Sequence, residues 1–187
     1  MQGTYRLLGG EQELLESFVA APGPAGWRYF GRIRRADTGE ELSTVDYVAD
    51  LDWGLVRFRT QHADGRQVVV VPSGTGLDVW HGGPGPEPAG FPGASVVWSA
   101  SPCSLIVAHH RLQALGHEEM VGLRLEARSE PEAVIVRLRP LGTTGVSNSG
   151  AGSTATRFEV TVGDRTLEAM IRSDLQLEAE GWFKLVD

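Results

Sequence analysis

Five histidines, one cysteine and a short run of aspartates are the groups in this 187-residue chain with the most chemical potential. His109 and His110 are adjacent, so on a strand they point to opposite faces and cannot chelate one ion together. A metal shell would need His62, His81 or His117 from distant strands, with Asp78 or Glu118 completing it, and zinc spacing is not met. Cys103 follows Pro102 and could serve as a nucleophile beside His109 or His110. A lone cysteine in a β-rich chain is more often a small hydrophobe. The serines from Gly145 to Ser149 fail the G-x-S-x-G elbow at its last position. The glycine-rich stretch from Gly142 to Gly152 lacks the Gly-Lys-Ser/Thr ending of a phosphate cradle. Asp46, Asp50 and Asp52 invite a glycosidase reading, but cross-strand pairing with arginine accounts for them. No catalytic residue, metal or cofactor is assigned on this basis.

The elements that position these groups are strands. From Val45 to Val71 the chain alternates with a period of two, turning at Trp53-Gly54 and at Asp64-Gly65. Two-residue loops there place Leu51 opposite Val56, Ala49 opposite Phe58 and Thr60 opposite Val69 on one apolar face. Asp50 then faces Arg57 on the polar side, with Asp46 diagonal to Arg59. A second hairpin through Glu130-Pro131 sets Ala127 against Val134, Leu125 against Val136 and Leu123 against Leu138. A third through Gly163-Asp164 sets Val160 against Leu167. Cys103–His109 reads as a buried strand or one beginning to curl, and only Arg111–Glu119 has room for a helical turn or two. Gly82–Gly93 reads as an irregular surface loop and Gly142–Ser153 as a mobile one.

Bulk properties narrow the class. The net charge is −7, and Lys184 is the only lysine among 17 basic residues. The arginines are spread among acids, so no nucleic-acid footprint is present. The N-terminus lacks a basic region followed by an apolar run, and no apolar run approaches a bilayer span. A cytoplasmic protein without integral membrane association is the expectation.

Twelve to fourteen short strands with almost no helix create a covering problem. A sheet with one apolar face must hide it, and no long helix is in sight. The expected fold is therefore all-β and a single domain over residues 1–187. Its one strongly curved antiparallel sheet forms an open or half β-barrel with at most one short helix and a hollow inside.

Tyr47-Val48, Asp50, Trp53 and Val56-Arg57, then Asp78-Val79-Trp80, then Ser101-Pro102 leading into Leu105-Ile106-Val107, resemble a bacterial glycolipid-binding family. The similarity runs from about Leu42 to Trp182. The chain departs from that family at Cys103-Ser104, where Asn usually follows the proline, and at His109-His110, where two arginines are usual. The resemblance implies a curved sheet around an apolar cavity, like that of lipoprotein carriers, and a glycolipid among the candidate ligands. Together these readings point to non-catalytic binding of a lipid, glycolipid or other amphiphilic small molecule. Tyr47, Phe58, Leu123, Leu125 and Val136 would line the concave face, with Trp80, Trp98 and His109 at its mouth. Two other classes stay open. One is a small-barrel hydrolase or isomerase using His109 or His110. The other is a structural module that forms a homodimer through an exposed edge strand.

Overall fold

Among the described residues, turns at short intervals separate fifteen strands and one helix. A computed structural model describes residues 1–8, 12–82, 87–126, 130–146, 153–172, 177–179 and 181–186. The strands are β1 (Gln2–Leu7), β2 (Leu14–Gly23), β3 (Gly26–Arg35), β4 (Glu41–Ala49), β5 (Leu55–His62), β6 (Gln67–Pro72), β7 (Gly76–His81), β8 (Ala89–Pro92) and β9 (Val96–Trp98). After helix α1 (Cys103–Leu115) come β10 (Glu119–Arg124), β11 (Glu132–Val146), β12 (Ser153–Val162), β13 (Arg165–Arg172), β14 (Leu177–Ala179) and β15 (Phe183–Leu185). Among the described residues, no helix is long and apolar enough to cross a membrane.

All fifteen strands join one open, curved sheet. Strands β8 to β1 form one antiparallel meander and β15 to β10 another; β1 pairs with β15, and β9 adds to β10 in parallel. The two edge strands, β8 and β9, are consecutive in the chain and only residues 93–95 separate them. The sheet must therefore curl until its edges nearly meet. Fifteen strands at ~4.8 Å spacing make a circuit of ~72 Å, or ~23 Å across, and the inward side chains leave a bore of ~10 Å, about one helix wide.

Helix α1 occupies that interior. Cys103 through His109 are buried without interruption, and Leu112 is buried too. A helix apolar on all sides belongs in a core rather than on a surface. This corrects the expectation of a strand over Cys103–His109. A short continuous apolar run has no period that separates buried strand from buried helix. Gly116, which argues against a helix when read as an interior residue, is instead its cap. It sits left-handed at φ 67°, and its N–H reaches the Gln113 and Leu112 carbonyls. Arg111 Nη1 donates to the Asp52 carbonyl at 2.9 Å, and the His110 ring stacks on Trp53 at 4.2 Å, tying the helix to the β4–β5 turn.

Only half of the meander's apolar-face assignment holds: Ala49, Phe58 and Thr60 face inward, Leu51, Val56 and Val69 do not, and the registers differ. Tyr47, rather than Ala49, lies opposite Phe58, and a bulge next to Ala49 turns Leu55 inward and Val56 out. Leu51 and Val56 are exposed instead of lining the dry face. The cause is the Asp50 carboxylate, which accepts the Asp52 and Gly54 amides at 2.9 and 2.7 Å and closes a longer turn. Asp50 therefore does not pair with Arg57; that arginine and Arg28 both bind Asp46 at 2.8 Å. At Asp64-Gly65 the loop has three residues, with Gly65 left-handed, so Thr60 meets Val68 and not Val69. In the second hairpin Leu123 faces Ala133 and Met120 faces Val136. The third hairpin pairs Val160 with Leu167 as expected. Gly82–Gly93 contains strand β8, and β11 runs on through Gly142 to Val146; residues 147–152 lie outside the described set.

Candidate functional site

The inward rows of β2 to β6 enclose a cavity of about 420 Å3 against the β9–α1 connection and Leu125. Its inner wall is buried and mostly apolar: Leu7, Ile33, Val45 and Phe58, with Ser43 and Ser101. Its exposed lining residues, Arg66, His81, Gly82, Ala100 and Glu126, mark the mouth, where His62 and Gln67 are half-buried. Burial, and then the nearby Arg66 guanidinium, lower the His62 pKa. Both causes favour the neutral ring, and the rim's cation, Arg66, is ion-paired with Asp64 at 2.7 Å.

A second cavity of about 580 Å3 adjoins the first, sharing Ser99, Ala100, Leu125 and Glu126 with it. Trp98 and Trp182 stand on its wall with ring centroids 5.0 Å apart, and Trp182 Nε1 donates to the Ala100 carbonyl at 3.1 Å. Ser99, Ala100 and Ser101 thus form a partly polar partition between two hollows. Ser99 N–H donates to Ser104 Oγ at 2.9 Å, and the Ser99 and Ser104 hydroxyls lie 3.0 Å apart.

Beneath the partition lies Glu16, fully buried on the inward row of β2 between Leu14 and Phe18. Ser101 Oγ donates to Glu16 Oε1 at 2.6 Å and Tyr29 OH donates to the same oxygen at 2.9 Å. Oε2 has no hydrogen-bond partner among the described residues. Gly31 on β3 makes the room, because a Cβ there would come within 2.2 Å of Oε1. Burial pushes the Glu16 carboxyl up to about 7, against the opposing pull of its Ser101 and Tyr29 hydrogen bonds. Burial and the adjacent Glu16 also hold the Tyr29 phenol well above its usual range, so it stays a donor. The Cys103 thiol is raised by burial and by Glu16, which leaves it protonated and a poor nucleophile.

Comparison with known proteins found no matching family model, no matching curated protein and no matching solved structure.

Of the residues singled out from the sequence, Phe58 and Leu125 line the first cavity, and Trp98 and Leu125 the second. Tyr47, Leu123 and Val136 are in the packed core, where the Tyr47 hydroxyl accepts the Val97 amide at 3.4 Å. Trp80 is 47% exposed and is among the lining residues of neither cavity. His109 is buried in α1 with its ring edge-on to Phe158 at 4.7 Å, and burial followed by His110 pushes its pKa down to about 4. Neither His109 nor His110 is among the lining residues of these two cavities. The sequence reading missed Glu16 and Arg66; it met His62 and His81 only as metal-ligand candidates and Ser101 only within the segment that carries the family resemblance. Glu16 had a visible signal, an acid breaking the inward apolar alternation of Leu14, Phe18 and Ala20.

Proposed function

We propose that this chain binds a lipid or other amphiphile, the apolar chain filling the 420 Å3 cavity and the polar head resting at the rim. The observation that carries the reading is a buried apolar wall beneath a rim of His62, Arg66, Gln67 and His81. That volume lies within the usual range for ligand pockets. The glycolipid-binding family resembled by the Tyr47–Arg57 and Ser101–Val107 segments fits the same ligand class, and a cytoplasmic location is part of this proposal. No contact of His109 or His110 with either cavity favours the histidine-enzyme alternative.

The test is a chain-length series. Burying one methylene is worth about 0.8 kcal/mol, so Kd falls roughly fourfold for each carbon added to a straight-chain fatty acid until the cavity is full. Displacement of a hydrophobic dye measures it. A Kd that ignores chain length, or a Phe58→Asp variant that folds and binds unchanged, defeats the reading.

A further inference from the structure

We propose that Ser101 is a nucleophile and Glu16 its general base, which makes the first cavity a site for hydrolysis or transfer of a carboxylic ester with a long acyl chain. The inference rests on the proposed reading of the cavity as a chain-binding hollow and adds a reaction at its inner wall. Three observations converge on it. Ser101 lies on the cavity wall with Oγ already donating to a carboxylate oxygen at 2.6 Å, the arrangement that activates a hydroxyl. Glu16 is fully buried and its described partners are the hydroxyls of Ser101 and Tyr29. A buried carboxyl is costly, and a glutamine would accept the same two hydrogen bonds at less cost. The third observation is the Cys103 N–H at the start of α1, directed at Ser101 Oγ across 3.4 Å. This donor, at the positive end of a helix, points at Oγ itself and stabilises the negative charge that develops there as the proton leaves. A carboxyl raised to about 7 suits a base working near neutrality.

The reaction balances with water as the only co-reactant. Ser101 Oγ bonds to the ester carbonyl carbon as its proton passes to the Glu16 carboxylate. The tetrahedral oxyanion collapses, the carbon–oxygen bond to the alcohol breaks, and Glu16 returns the proton to the departing oxygen. A water molecule deprotonated by Glu16 then attacks the acyl-serine, releasing the fatty acid and restoring the Ser101 hydroxyl. Tyr29 is a positioning residue: its hydroxyl holds Oε1 in place and never touches the ester.

The experiment treats the full chain with a decyl fluorophosphonate probe, which serine displaces with loss of fluoride, and follows it by intact mass and peptide mapping. One phosphonyl group on Ser101 is expected, with a labelling rate that rises with pH through a midpoint near 7. Ser101→Ala abolishes that label. Glu16→Gln slows it on the order of 100-fold, while dye binding in the cavity persists. If Glu16→Gln fails to fold, Tyr29→Phe keeps the test decisive. Loss of that hydrogen bond raises the carboxyl further, so the pH midpoint of labelling moves up, and an unmoved midpoint overturns the role of Glu16. A chain that binds the dye but leaves Ser101 unlabelled at every pH overturns the acyl-transfer inference and leaves the binding reading standing. Labelling of Ser101 by a short-chain fluorophosphonate in a protein that ignores the dye supports the nucleophile and overturns the chain-binding reading.

Discussion

Relative to the wild type, Glu16→Gln is expected to gain about 2 kcal/mol more stability at pH 6.5 than at pH 4.5, and His109→Gln to lose about as much over the same interval. The two signs follow from opposite displacements. Glu16 titrates near 7 when folded against 4.5 when exposed, so the unfolded state sheds its proton first. Its burial costs nothing below 4.5 and weakens the fold progressively as pH rises toward 7. His109 titrates near 4 when folded against 6.5 when exposed. Its burial costs nothing above 6.5 and weakens the fold as pH falls toward 4. Over the shared window the two slopes oppose and nearly cancel, so removing either one exposes the other. Urea denaturation of the wild type and both variants at pH 4.5, 5.5 and 6.5 measures the difference. A stability difference that is the same at all three values would mean that the group in question titrates as if exposed.

Gly31→Ala is expected to destabilise the protein by roughly 3 kcal/mol, because displacing the Glu16 carboxyl leaves a buried polar group without its partners. The added Cβ would come within 2.2 Å of Oε1 and 3.0 Å of a Tyr29 ring carbon. The backbone at Gly31 is not left-handed, so the penalty is steric and specific to the carboxyl. In a Glu16→Ala background the same change is expected to cost less than about 1 kcal/mol, a coupling that a double-mutant cycle reads directly. Equal costs in both backgrounds would place the clash elsewhere.

The fold class was legible because alternation survives errors of register. Trp27, Tyr29 and Ile33 face inward and Arg28 and Arg34 outward whichever residues they pair with. The pairing itself depended on loop lengths, and there a single side chain decided the outcome. Asp50 folds back on the Asp52 and Gly54 amides and lengthens the turn, a choice that no hydrophobic pattern encodes. The helix was hidden for a different reason: a segment buried on every side has no polar face to give it a period. That segment also changes the interior, since α1 fills much of what alternation alone presents as one hollow. Residues such as Tyr47, Leu123 and Val136, inward by parity, therefore pack into solid core, while Phe58 and Leu125 keep open space beside them.

The pairing of β1 with β15 sets an order on assembly. Tyr5 lies beside Leu185 in the middle of the sheet, so the contact closes a span of about 180 residues at a cost near 4.6 kcal/mol by loop-closure entropy. During synthesis β1 can zip onto β2 as soon as both have left the ribosome, but its other side waits for the last of the fifteen strands. For most of the chain's translation that strand therefore offers a row of unspent amides and carbonyls to its surroundings, the kind of edge on which nascent chains stick to one another.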